Sequence, residues 1–110
     1  MSGNGAEFFE IQKIDNQRSQ GGKRYQEFLR VAAMSAGLYV LPAGGTDAQS
    51  LHKEDEMYYV VHGRGRMRAG DLDQSVQEGS IIFVAAGVQH RFYDIEEELA
   101  VLVFFAPAEN

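Results

Sequence analysis

Three runs of this sequence are apolar at consecutive positions: MYYVV (Met57–Val61), SIIFVAA (Ser80–Ala86) and LAVLVFFA (Leu99–Ala106). Each is short, rich in β-branched and aromatic residues and flanked by glycine or acidic residues. That composition describes strands covered on both faces, since a half-exposed strand alternates apolar with polar. From Tyr25 onward, similar runs recur at roughly the 8–12-residue spacing of an all-β sandwich or barrel. The pattern predicts strands near Tyr25–Val31, Ser35–Leu41, Gln49–His52, Glu56–Val61, Arg64–Ala69, Gln74–Gln77, Ser80–Val84, Gln89–Tyr93 and Leu99–Phe105, with a helical turn as the alternative start for the first. Leu41-Pro42-Ala43-Gly44-Gly45 and Ala69-Gly70-Asp71 are turns, where glycine reaches positive φ without strain. No helix longer than a turn or two is required. Something must cover the outer faces of the apolar strands, and a homodimer is the expected arrangement.

The chain has 110 residues, enough for one domain. Residues 1–23, polar and glycine-rich, are expected to form a flexible arm with at most a short strand at Phe8–Ile11. Residues 24–110 are expected to form the barrel. Sixteen acidic residues against ten basic ones give a net charge of -6, which repels phosphate backbones and anionic lipid, so nucleic acid and membrane surfaces are excluded as partners. There is no cysteine, so a metal must be held by imidazole and carboxylate. MSGNGAEFFEIQKIDNQ has no basic region followed by an apolar run, and no segment reaches the roughly 18–20 apolar residues of a membrane span. A cytoplasmic protein is expected, although the lack of cysteine suits other compartments equally.

The three histidines sit in different settings. His52 lies in SLHKEDE, four residues before Glu56, and His90 lies in GVQHRFYD after a glycine turn, while His62 beside Gly63 is expected to face solvent. Two imidazoles and a carboxylate form a ligand set for a divalent transition metal if the fold brings them together. Spacing alone leaves that condition open.

The stretch Gly45–Gly63, GTDAQSLHKEDEMYYVVHG, resembles the first cupin motif: His52, Glu56 and Gly63 keep its spacing. Gly79–Asp94, GSIIFVAAGVQHRFYD, resembles the second, with Gly79, Gly87 and His90 in register, Ala85 at the proline position and Asp94 at the asparagine position. The likeness runs over roughly residues 25 to 107 and implies a double-stranded β-helix, the cupin jelly-roll barrel. It also implies one divalent transition metal per chain (Fe, Mn, Zn or Ni) held by His52, Glu56 and His90. The motif's first histidine falls on Ser50, a poor ligand, so the site is reduced to two histidines and one carboxylate. Gln49, Ser50 and Glu54 are the candidates for an additional ligand.

Such a set with open positions is the one used by non-haem iron oxygenases, and Zn, Mn or Ni accept it too. If Glu56 faces inward, a period of two places Tyr58 and Val60 on the same face, and Phe92 and Asp94 beside His90. Tyr58 is the candidate proton donor. Met67, Val88 and Phe92 are the expected lining of a small pocket for a compact organic molecule of low charge. Arg64, Arg66 and Arg68 alternate with Gly65, Met67 and Ala69, and the small apolar set should take the inner face. The functional expectation is a metal-binding cupin acting on a small molecule, of oxygenase type. The alternatives are a binding or sensing barrel without turnover, and a degenerate site on a protein that only dimerises.

Overall fold

The computed structural model describes residues 5–48 and 51–110. Among these residues one helix, α1 (Ile11–Gln20), precedes six strands: β1 (Tyr25–Val31), β2 (Met34–Leu41), β3 (Asp55–Ala69), β4 (Leu72–Gln77), β5 (Ile81–Val84) and β6 (His90–Ala106). All neighbours pair antiparallel in the order β1-β2-β6-β3-β4, and β5 pairs with the first half of β3.

Two long strands carry the barrel. The sequence pattern breaks β3 at Gly63 and β6 at the Glu96-Glu97-Glu98 run, yet each is one continuous strand. Their mutual register slips three times between Val60 and Arg66, and Gly63 has φ 93°. A Cβ on Gly63 would lie 2.0 Å from the Glu98 carbonyl oxygen, so only glycine lets the two strands bend together here. The bend carries inward side chains from both halves of β3, Tyr58 and Val60 with Met67, into one core with Val84, Phe92, Ile95, Leu99, Val101 and Phe105.

Asp94 departs from the expected inner face. It has φ 52°, a left-handed conformation that Asp tolerates better than most residues. That single residue resets the alternation, so Asp94 is exposed and Ile95 is buried instead.

The expected arm also differs. Ile11–Gln20 forms a helix whose Ile14, 5% exposed, packs with Leu38, Val40 and Ala100 on the outer face of the sheet. Gly21 and Gly22 end the helix, their N–H groups donating to the Gln17 and Ser19 carbonyls. Phe9 adds a ring contact to Phe28 at 4.9 Å. With one buried residue in ten, α1 has no apolar stripe for sequence reading to detect. It covers only one end of the outer face. Met57, Tyr59, Ile81 and Phe83, cross-strand partners on β3 and β5, remain 39–65% exposed.

Candidate metal centre

The inner face of β3 alternates without error through Glu56, Tyr58 and Val60, all buried, while Asp55, Met57 and Tyr59 are exposed. Glu56 therefore points into the barrel at 3% exposure. His90 opens β6 in register with Ala69, at the far end of β3, but the bend returns its ring to the near end. Its Nε2 lies 3.0 Å from the Tyr58 hydroxyl and 3.0 Å from Glu56 Oε1. His52 comes from the loop before β3. Its carbonyl accepts the Gly87 N–H at 2.9 Å, and Asp55 Oδ1 accepts the Ala86 N–H at 2.9 Å. These two bonds tie the loop carrying His52 to the turn before His90, and His52 meets Phe105 and His90 with ring centroids 5.1 and 5.8 Å away.

One ligand atom from each of His52, Glu56 and His90 lies within 4.8 Å of the others. The sequence-predicted triad is thus brought together from three separate segments.

The local chemistry calls for a cation. His90 Nδ1 is 2.9 Å from the Val88 carbonyl, which can only accept, so in neutral His90 the proton sits on Nδ1 and Nε2 carries the lone pair. That lone pair faces both the Tyr58 hydroxyl, which donates to it, and Glu56 Oε1, a buried atom with no hydrogen-bond partner among the described residues. Two acceptors 3.0 Å apart repel unless a positive charge joins them. Protonation of His90 is one answer: burial alone lowers its pKa, but the Glu56 carboxylate and the Val88 carbonyl outweigh burial and the net direction is upward. A metal ion is the other, because donors roughly 2.1 Å from one ion and about 90° apart are about 3.0 Å from each other. The donor set fits a divalent transition metal.

A cavity of about 150 Å³ adjoins the triad. Tyr25, Tyr39 and Tyr58 line it with phenols, Asp47 and Glu109 with carboxylates, and Val103 and Phe105 with apolar surface; no lysine or arginine lies among its described lining residues. Asp47 is fully engaged, accepting from the Tyr39 hydroxyl (2.6 Å) and the Phe92 N–H (2.9 Å). The Tyr25 hydroxyl is buried without a partner among the described residues, its ring lying over Gly37, where a Cβ would come within 2.2 Å of it. Burial, then the neighbouring Glu56 carboxylate, pushes the Tyr58 phenol far above its ordinary pKa.

The expected lining lies elsewhere. Met67 and Phe92 are core residues, 3% and 1% exposed, with Val88 packed against that core, and none of the three lines the cavity. Glu54 is buried, but its Oε2 accepts the Asn110 N–H at 3.3 Å and it stands outside the cavity lining. Gln49 and Ser50, half of the strand expected at Gln49–His52, lie outside the described residues; Leu51 and His52 are not in a strand. His62 is exposed and Arg64, Arg66 and Arg68 point outward, while Gly65 and Met67 face inward. Tyr25, Tyr39 and Glu109 had no sequence signal, since each reaches the site from an element or terminus outside both motif stretches, and Asp47 sits inside the first stretch at a position its spacing does not mark.

Residues 37–106 match the Cupin domain family. An uncharacterized protein of Streptomyces coelicolor is 43% identical over 102 residues, 93% of this chain and 97% of that protein. The fold is similar to a crystal structure from Thermus thermophilus (TM-score 0.76, 20% identity, 94% of this chain and 99% of that one). It is also similar to an RmlC-like cupin with a double-stranded β-helix fold from Methanocaldococcus jannaschii (TM-score 0.69, 19% identity, 76% and 78%). Bent paired strands, two hairpin motifs in register and the matching family segment lead to one conclusion: this chain belongs to the cupin family and folds as a double-stranded β-helix.

Proposed function

We propose that this cupin holds one divalent transition metal through His52, Glu56 and His90 and acts with it on a small organic molecule of low charge. The observation that carries the reading is the buried Glu56 Oε1, without a hydrogen-bond partner among the described residues, facing the Nε2 of His90 at 3.0 Å, with His52 within reach of both. When bound, such an ion supplies Lewis acidity or, if iron, redox chemistry. The chain's own residues govern what enters. With Asp47, Glu56 and Glu109 on the cavity and no lysine or arginine among its described lining residues, an anionic ligand meets repulsion from the protein that the metal only partly offsets. The Tyr25 hydroxyl, a buried donor lacking an acceptor among the described residues, favours a ligand oxygen that completes it. The Tyr58 phenol keeps its proton at ordinary pH and donates a hydrogen bond.

A second reading, capture of the molecule without turnover, draws support from that same Tyr58, because a phenol raised so far is a poor general acid. The outer patch of Met57, Tyr59, Ile81 and Phe83 supports a homodimer in either case.

The test is elemental analysis of protein purified without chelators, beside His90→Ala. Near-stoichiometric metal lost on substitution supports the reading; less than about a tenth of an equivalent, unchanged by His90→Ala, refutes it. Turnover with supplied metal separates the enzyme from the binding protein, which would show ligand-dependent thermal stabilisation and no product.

A further inference from the structure

The last residues of the chain fold back onto the site. The Ala108 N–H donates to the Ala32 carbonyl (3.4 Å), the Glu109 N–H to Ser35 Oγ (2.9 Å) and the Asn110 N–H to Glu54 Oε2 (3.3 Å). Ser35 and Glu54, at 0% and 4% exposure, are two of the few polar residues buried in the barrel, and both spend their side chains on holding this tail. Buried polar groups are tolerated where they are paired, so the tail accounts for both. The docked tail delivers the Glu109 carboxylate to the cavity, with Oε2 3.3 Å from Nδ1 of His52. Glu109 and Ser35 lie outside the family-matched segment 37–106.

We propose that Glu109 is a positioning residue for the metal centre: it accepts the Nδ1 proton of His52, fixing the tautomer in which Nε2 carries the lone pair offered to the ion. The inference rests on the metal reading above. Its logic parallels that of His90, whose Nδ1 is held by the Val88 carbonyl at 2.9 Å. An oxygen acceptor on the second ring nitrogen orients a ligating imidazole and raises its basicity. His90 obtains that acceptor from its own turn, two residues away. His52 has it from a carboxylate fifty-seven positions further along the chain, locked in place by Ser35. Glu109 is not itself one of the three mutually close donors, so it acts through His52.

The test uses the full chain, stripped of metal and titrated with Co(II) by calorimetry, for wild type, Glu109→Leu, which removes the acceptor, and Glu109→Asp. Long-range proton–nitrogen spectra of the metal-free proteins report each imidazole's tautomer, with exposed His62 as the internal reference. Wild type is expected to bind about one equivalent, Glu109→Leu to bind ten- to a hundredfold more weakly, and Glu109→Asp, which keeps the acceptor, to recover most of the loss. In the spectra His52 should be protonated on Nδ1 in wild type and Glu109→Asp but not uniformly so in Glu109→Leu. A purely structural tail would lower the melting temperature without changing the tautomer, which overturns the proposal. So does wild-type Co(II) affinity in Glu109→Leu with an unchanged His52 spectrum, a result that leaves the metal reading standing. Failure of wild type itself to bind Co(II) instead refutes the metal reading and takes the proposal with it.

Discussion

Gly63→Ala should be among the most damaging single-methyl additions this chain can suffer. At φ 93° an L-residue pays about 1–3 kcal/mol for the backbone conformation alone. The new Cβ would also stand 2.0 Å from the Glu98 carbonyl oxygen and 2.7 Å from its carbon. Those atoms belong to the backbone of β6, paired to β3 on both sides of the bend, so no rotamer change relieves the overlap; overpacking of this kind adds about 1–3 kcal/mol. The sum is about 2–6 kcal/mol, near 4, or about 16 °C in Tm at roughly 4 °C per kcal/mol for a chain of this size. Gly79→Ala is the control, because Gly79 has φ 91° and nothing within 4 Å of a built Cβ. It carries the conformational cost without the collision. Urea unfolding of both variants at constant m-value, with thermal melts alongside, measures the difference. If the two destabilisations agree within about 0.5 kcal/mol, the steric argument for the bend is refuted.

Three further outcomes follow from the packing. Gly37→Ala should displace the Tyr25 ring and cost about 1–3 kcal/mol, and the cost should shrink below about 0.5 kcal/mol in a Tyr25→Ala background, a double-mutant cycle readable from urea melts. Ile14→Ala, at the only buried position of α1, should cost about 2–4 kcal/mol in denaturation and increase amide exchange in the helix selectively. The Tyr93 hydroxyl, followed by Arg66, holds the exposed Asp73 carboxyl below its ordinary pKa. A depressed folded pKa means that its contribution is present above the unfolded value and lost as pH falls through the folded one, so Asp73→Asn should flatten that part of the acid-side decline in stability, measured from about pH 5 down to 2.

What could be read from the sequence was local. β1 was legible to the residue because Tyr25–Val31 is bounded by turns, and the triad was legible because His52, Glu56 and His90 sit at fixed offsets from glycines. Parity also put the right residues on the inner face of β3. It failed as a guide to the cavity: Met67 shares a face with Glu56, but the bend at Gly63 places it at another level of the barrel, and alternation gives a face without giving a height. A left-handed residue such as Asp94 inverts the alternation beyond it with no mark in hydropathy. The helix escaped notice because Ile14 alone is buried, and Tyr25, Asp47 and Glu109 because contact with the site depends on long-range closure.

The placement of His90 opposite Ala69 in the ladder, while its ring meets Glu56 at the other end of the same strand, has a kinetic corollary. On the proposed metal reading, neither motif would hold a usable grip on a cation until β3 and β6 have closed on each other, and pairings so distant along the chain form late and slowly. Ion capture should therefore trail barrel closure during refolding, and a fragment carrying just one hairpin should bind no better than loose imidazole.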